Sequence, residues 1–171
     1  MRTLILGLGN PILTDDSVGV RVAEEVRAAL ALRPEAPVVV ETASLGGLAL
    51  MEMLIGYDRA ILIDALCRAD QSPGSLLRLS LRDVQALSPT ERTVSPHDTS
   101  LGVALDLGQQ MGLPLPEEII IYAITVTDVL DFGEEPTPPV AAAIPAAVEA
   151  VLAEMLPPRS VGVSRCEGVE L

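Results

Sequence analysis

Arg2-Thr3-Leu4-Ile5-Leu6-Gly7-Leu8-Gly9 runs into the turn-like Asn10-Pro11 and then the polar Thr14-Asp15-Asp16-Ser17. The first eight residues are a short, nearly continuous apolar run, which is how a strand buried on both faces of a parallel sheet reads. Beyond the turn, Val18, Val20, Val22, Ala23, Val26, Ala29 and Leu30 recur at helical spacing. Glu24, Glu25 and Arg27 fall on the other face, and Asp16 or Ser17 is placed to cap the first turn. This stretch therefore reads as the opening strand and helix of an α/β protein.

The rest of the chain repeats the alternation. Pro34 and Pro37 break it, Val38 to Glu41 supply a second strand, and Gly46-Gly47 lead into a helix over Leu48 to Ile55. Ala60-Ile61-Leu62-Ile63-Asp64 is a third buried strand that ends on a carboxylate. Alternation over Ser75 to Leu81 predicts an antiparallel edge strand. A loop from Ser88 to Pro96 precedes His97, Leu101 to Met111 is helical, and Ile119 to Val126 is the last strong strand. An acidic loop with Asp128, Asp131, Glu134 and Glu135 follows, most simply solvated, and Ala141 to Leu156 is an alanine-rich helix. The expected fold is a three-layer α/β/α sandwich with a mostly parallel twisted sheet and one antiparallel edge strand. At 171 residues the chain makes one domain, 1–156, with 157–171 as a flexible tail.

Composition narrows the chemistry. All basic residues are arginine, there is no lysine or tryptophan, and His97 is the single histidine. Schiff-base catalysis and a lysine-bearing phosphate loop are excluded, and imidazole chemistry belongs to one residue. Twenty-four acids against eleven bases give a formal charge of −13, which repels phosphate backbones, so no nucleic-acid partner is expected. Cys67 and Cys166 sit in no CxxC pattern. Cys67 reads as a buried structural thiol and Cys166 as incidental. With no signal region or membrane span, a reduced, cytoplasmic, soluble protein is expected. Gly7 and Gly9 do not continue into a dinucleotide fingerprint, because Ile12 stands where the third glycine belongs.

In doubly wound sheets the ligand site lies outside the carboxyl ends of the strands, where strand order reverses. With strand order 2-1-3, the loop carrying Asp15 and Asp16 meets Asp64 there, and the Ser95-Pro96-His97-Asp98 segment can fold over the same edge. Asp16, Asp64 and His97 would form an open three-ligand site for a borderline divalent metal. Against this, an acid before a helix is commonly a cap, and a lone loop histidine can be merely solvated. A carboxylate closing Ala-Ile-Leu-Ile is harder to explain without a partner.

Ile5-Leu6-Gly7-Leu8-Gly9-Asn10-Pro11-Ile12-Leu13-Thr14-Asp15-Asp16-Ser17-Val18-Gly19-Val20 closely resembles the N-terminal signature of nickel-iron hydrogenase maturation proteases. The likeness continues through Ile61-Leu62-Ile63-Asp64-Ala65, Ser95-Pro96-His97 and Pro136-Thr137-Pro138, covering roughly residues 2 to 156. It implies a phosphorylase/hydrolase-like fold and an endopeptidase that cuts a C-terminal extension from the nickel-loaded large-subunit precursor of a hydrogenase. It places both metal binding and catalysis on Asp16, Asp64 and His97, with nickel supplied by the substrate and zinc or cadmium able to substitute in vitro. A monomer is expected. Ser17 stands where the family often has glycine, and Ser44-Leu45-Gly46-Gly47 replaces its Gly-Thr-x-Gly specificity loop, leaving the hydrogenase served undefined.

Two other functions compete. Peptidyl-tRNA hydrolases share the opening Gly-Leu-Gly-Asn-Pro, but their catalytic histidine follows within about a dozen residues, and no histidine stands there in this chain. A non-catalytic metal-binding assembly module would use the same three residues.

Overall fold

The computed structural model describes residues 1–32, 37–68, 70–86, 98–127, 129–133 and 135–155. Its elements are β1 (Thr3–Leu8), α1 (Val18–Leu30), β2 (Val38–Ala43), α2 (Gly47–Leu54), β3 (Arg59–Cys67), β4 (Leu76–Ser80), α3 (Leu81–Ala86), α4 (Asp98–Gln110), β5 (Glu118–Val126) and α5 (Pro138–Ala153). The sheet order is β2-β1-β3-β5-β4. β1, β2, β3 and β5 are parallel, and β4 pairs antiparallel with β5 at the edge. The expected α/β/α sandwich is the observed fold, with the order reversing between β1 and β3.

Each face of the sheet has its own core. Ile5, Ile61, Ile63 and Ile124 pack beneath α1 and α5 with Val22, Val26, Val140 and Val151. Leu4, Leu6, Leu62 and Ile121 pack on the other face with Leu50 and Leu54 of α2 and Leu101 and Leu105 of α4. The period-2 pleat sends alternate residues of one strand into opposite cores. The central strands therefore read as continuous hydrophobic runs and not as alternating ones. The described residues pack into this one sandwich; the expected tail, 157–171, lies outside the described residues, as does Cys166.

Some boundaries differ from the sequence reading. Helix α3 was not anticipated. Its signal is Ser80-Leu81-Arg82-Asp83, a capping pair in which Ser80 N–H and Oγ both donate to Asp83 Oδ2 at 2.7 Å and Asp83 N–H donates to Ser80 Oγ at 3.2 Å. Helix α5 starts three residues early because Thr137 is its N-cap and Pro138 occupies the first turn, where a missing N–H is harmless. Strand β3 does not end at Asp64 but continues to Cys67 alongside β5; only its pairing with β1 stops, at Gly7 and Ile63. Cys67 is half-buried, its Sγ donating to Thr127 O at 3.2 Å.

Candidate functional site

The place where β1 stops and β3 goes on alone toward β5 lies at the carboxyl edge of the sheet, and the two acids are there. Gly9 has φ +133°, and a Cβ on it would stand 1.9 Å from Asp16 O, so the turn out of β1 needs glycine. The loop folds back so that Asn10 N–H donates to Asp16 Oδ2 at 2.7 Å, while Asn10 Oδ1 accepts from Ile12 N–H at 3.2 Å. Asp16 is 7% exposed. It does not cap α1: Ser17 is the N-cap residue, makes no side-chain capping bond, and spends its hydroxyl on Thr14 O at 2.8 Å.

Asp64 is 2% exposed. Side-chain alternation puts it on the face shared by Ala60 and Leu62, under α2 and α4. Its Oδ1 accepts from Ala65 N–H at 2.9 Å, so the carboxylate serves the backbone just past the point where β1 ceases to pair. Helix α1 is drawn tight over the same spot, since a Cβ on Gly19 would sit 2.3 Å from both Ile63 O and Leu8 O. Gly7 and Gly19 are thus packing glycines, one on the strand and one on the helix.

Asp15 has a different task. Its Oδ1 accepts from Thr137 N–H at 2.7 Å and its Oδ2 from Thr137 Oγ1 at 2.9 Å. An acid from the first loop thereby satisfies an N-terminal amide of α5. Beside it, Thr14 N–H and Oγ1 both donate to Asp131 O, at 2.8 and 2.9 Å, and Leu13 and Phe132 form an isolated antiparallel bridge. Sequence reasoning missed this clamp. Thr137-Pro138 marks a helix start, but nothing local pairs it with Asp15.

The structure thus brings Asp16, in the loop after β1, and Asp64, just past the point where β1 stops pairing with β3, to the same edge of the sheet, each with one oxygen accepting from a backbone N–H. His97 lies outside the described residues; α4, which begins at the next residue, packs on the Asp64 face through Leu101 and Leu105. Among the described residues no group of three or more His, Cys, Asp or Glu side chains is arranged to hold a metal. Two buried, oriented carboxylates supply oxygen donors suited to a divalent cation or to taking a proton from water. A depression of about 390 Å³ lined by Arg2, Val38 and Asp58 opens at the amino edge of the sheet, away from these acids.

A family model described as HycI, hydrogenase maturation protease, matches residues 20–154. The chain belongs to the hydrogenase maturation protease family, whose members are endopeptidases. It is 35% identical over 158 residues to the hydrogenase 2 maturation protease of Escherichia coli K12, covering 91% of each chain. It is 29% identical over 163 residues to the hydrogenase expression/formation protein HupD of Rhizobium leguminosarum bv. viciae, covering 95% of this chain and 77% of that one. The solved structure of the hydrogenase maturating endopeptidase HybD from E. coli superposes with a TM-score of 0.70 at 32% identity, covering 90% of this chain and 91% of that one. Membership in this family sets aside the peptidyl-tRNA hydrolase reading of the shared opening motif.

Proposed function

We propose that this protein removes a C-terminal extension from the nickel-loaded large-subunit precursor of a nickel-iron hydrogenase, and that it reads the nickel through Asp16, Asp64 and His97. The observation that carries the reading is the placement of two buried carboxylates, Asp16 in the loop after β1 and Asp64 just past the last β1–β3 pair, at the carboxyl edge, each oriented by a backbone N–H. Carboxylates so oriented, joined by one imidazole, leave coordination positions for a metal already held by the substrate, so an unloaded precursor lacks the anchoring contact. With the metal docked, the scissile peptide is held against the same edge, and a carboxylate accepts a proton from the water that attacks it.

Mass spectrometry of the large subunit, incubated with and without the protein, reports the cleavage directly. Wild type should shorten the nickel-loaded precursor and leave the metal-free precursor intact, and His97→Ala should fail on both. Undiminished processing by His97→Ala overturns the assignment of that residue. An unchanged mass with wild type would leave the protein a binding module.

A further inference from the structure

Large apolar side chains left in solvent gather at the same edge as the acids. Of the ten such residues among the described part of the chain, five lie in or beside the loops that follow β1, β2 and β5: Ile12, Leu45, Leu48, Leu130 and Phe132. Phe132 is the protein's single phenylalanine and is 80% exposed, with Leu130 at 75% and Ile12 at 59%. Single exposed apolar residues are ordinary, but several on adjoining loops mark an interaction surface.

The backbone that carries them is tied together. Phe132 sits in the bridge opposite Leu13, Gly133 N–H donates to Ile12 O at 3.2 Å, and the Thr14 and Asp15 bonds described above close the pair of loops on either side. The β2 loop is tied to the same turn, Gly9 N–H donating to Ala43 O at 3.1 Å and Ser44 Oγ to Gly9 O at 2.6 Å. Holding apolar groups in water within a rigid frame gains nothing for folding, whereas a pre-ordered apolar surface binds with less entropy cost.

Charge says what a docked segment must carry. The three loops, residues 9–17, 44–47 and 127–137, contain no arginine, while Asp131 and Glu135 stand exposed beside Phe132. We propose that the paired loops after β1 and β5 dock a segment of the hydrogenase precursor whose apolar side chains are flanked by arginine or lysine. This rests on the processing reading above, and it adds a contact that does not involve the metal. Apolar anchors supply affinity and the acidic rim supplies steering.

The test compares wild type with Phe132→Ser and Leu130→Ser on nickel-loaded precursor over a range of concentrations and at low and high salt, with thermal melting as a fold control. Each variant should melt with wild type and raise KM about tenfold, the loss falling on KM and not on kcat. Wild-type KM should rise with salt, and Asp131→Arg should raise it at low salt. An unchanged KM in both serine variants overturns the docking surface and leaves the protease reading standing. Wild type that cleaves no loaded precursor overturns the protease reading itself. Self-association of wild type that Phe132→Ser abolishes assigns the surface to a second copy of the chain and overturns the proposal.

Discussion

Asp15 and Asp16 are adjacent, both buried, and differently employed. Asp15 is committed to Thr137 by two hydrogen bonds, so Asp15→Ala should cost about 2 kcal/mol, the range for charged hydrogen bonds, measured by denaturant unfolding. Asp16 and Asp64 each accept a hydrogen bond from nearby backbone, Asn10 N–H on Asp16 and Ala65 N–H on Asp64. On the proposed function, Asp16→Asn and Asp64→Asn should abolish processing, a loss of about a hundredfold or more, while the melting temperature holds because the amide oxygen still accepts the backbone N–H. A melting temperature that collapses in both variants would make these acids structural. Gly19→Ala tests the tight seam between helix and sheet. Its methyl would stand 2.3 Å from two carbonyl oxygens, and the strain should cost about 2 kcal/mol, or roughly 4 to 8 °C in melting temperature.

At the scale of elements, β3 is joined to β5 and to the end of α5 by Arg59. Its guanidinium is nearly buried and meets Glu118 at 2.6 Å and Glu154 at 2.5 Å, and Arg78 joins Glu154 at 2.8 Å. Burial alone would raise the Glu154 carboxyl, but hydrogen bonds from Arg78, Arg59 and Tyr122 outweigh it and hold the group below its ordinary value. A depressed folded-state value means that the stabilisation is present above the unfolded glutamate range and is lost as pH falls through the folded one. Glu154→Gln should lower stability near neutral pH by about 2 kcal/mol, and its melting temperature should converge on that of wild type in acid. A pH-independent difference would remove Glu154's charge from the account. The elements themselves were largely legible, because strands buried on both faces and amphipathic helices leave periods that can be read in one dimension. Helix α3 escaped because six residues are too few to display a period, though its Ser80–Asp83 pair was a local sign.

For the whole molecule, net charge −13 makes self-repulsion a global term. Added salt at neutral pH should raise the melting temperature by screening it, and a fall would mean that the Arg59 ion pairs outweigh the repulsion. No helix among the described residues is long and apolar enough to cross a membrane. The sheet edge that gathers Asp16 and Asp64 was legible from the alternation of elements plus the rule that ligands bind at the carboxyl ends of strands. The clamp and the exposed loop pair were not, because Asp15 and Thr137 are 122 residues apart, and side-chain bonds at that separation leave no trace in local pattern. That same separation sets an order of events during synthesis. The ribosome delivers the first loop early, but its anchor comes only after nearly the whole sandwich has been made, so the edge bearing Asp16 gains its final shape late. A nascent chain that has folded its first three strands still lacks the finished edge, and completion of α5 is the step that closes it.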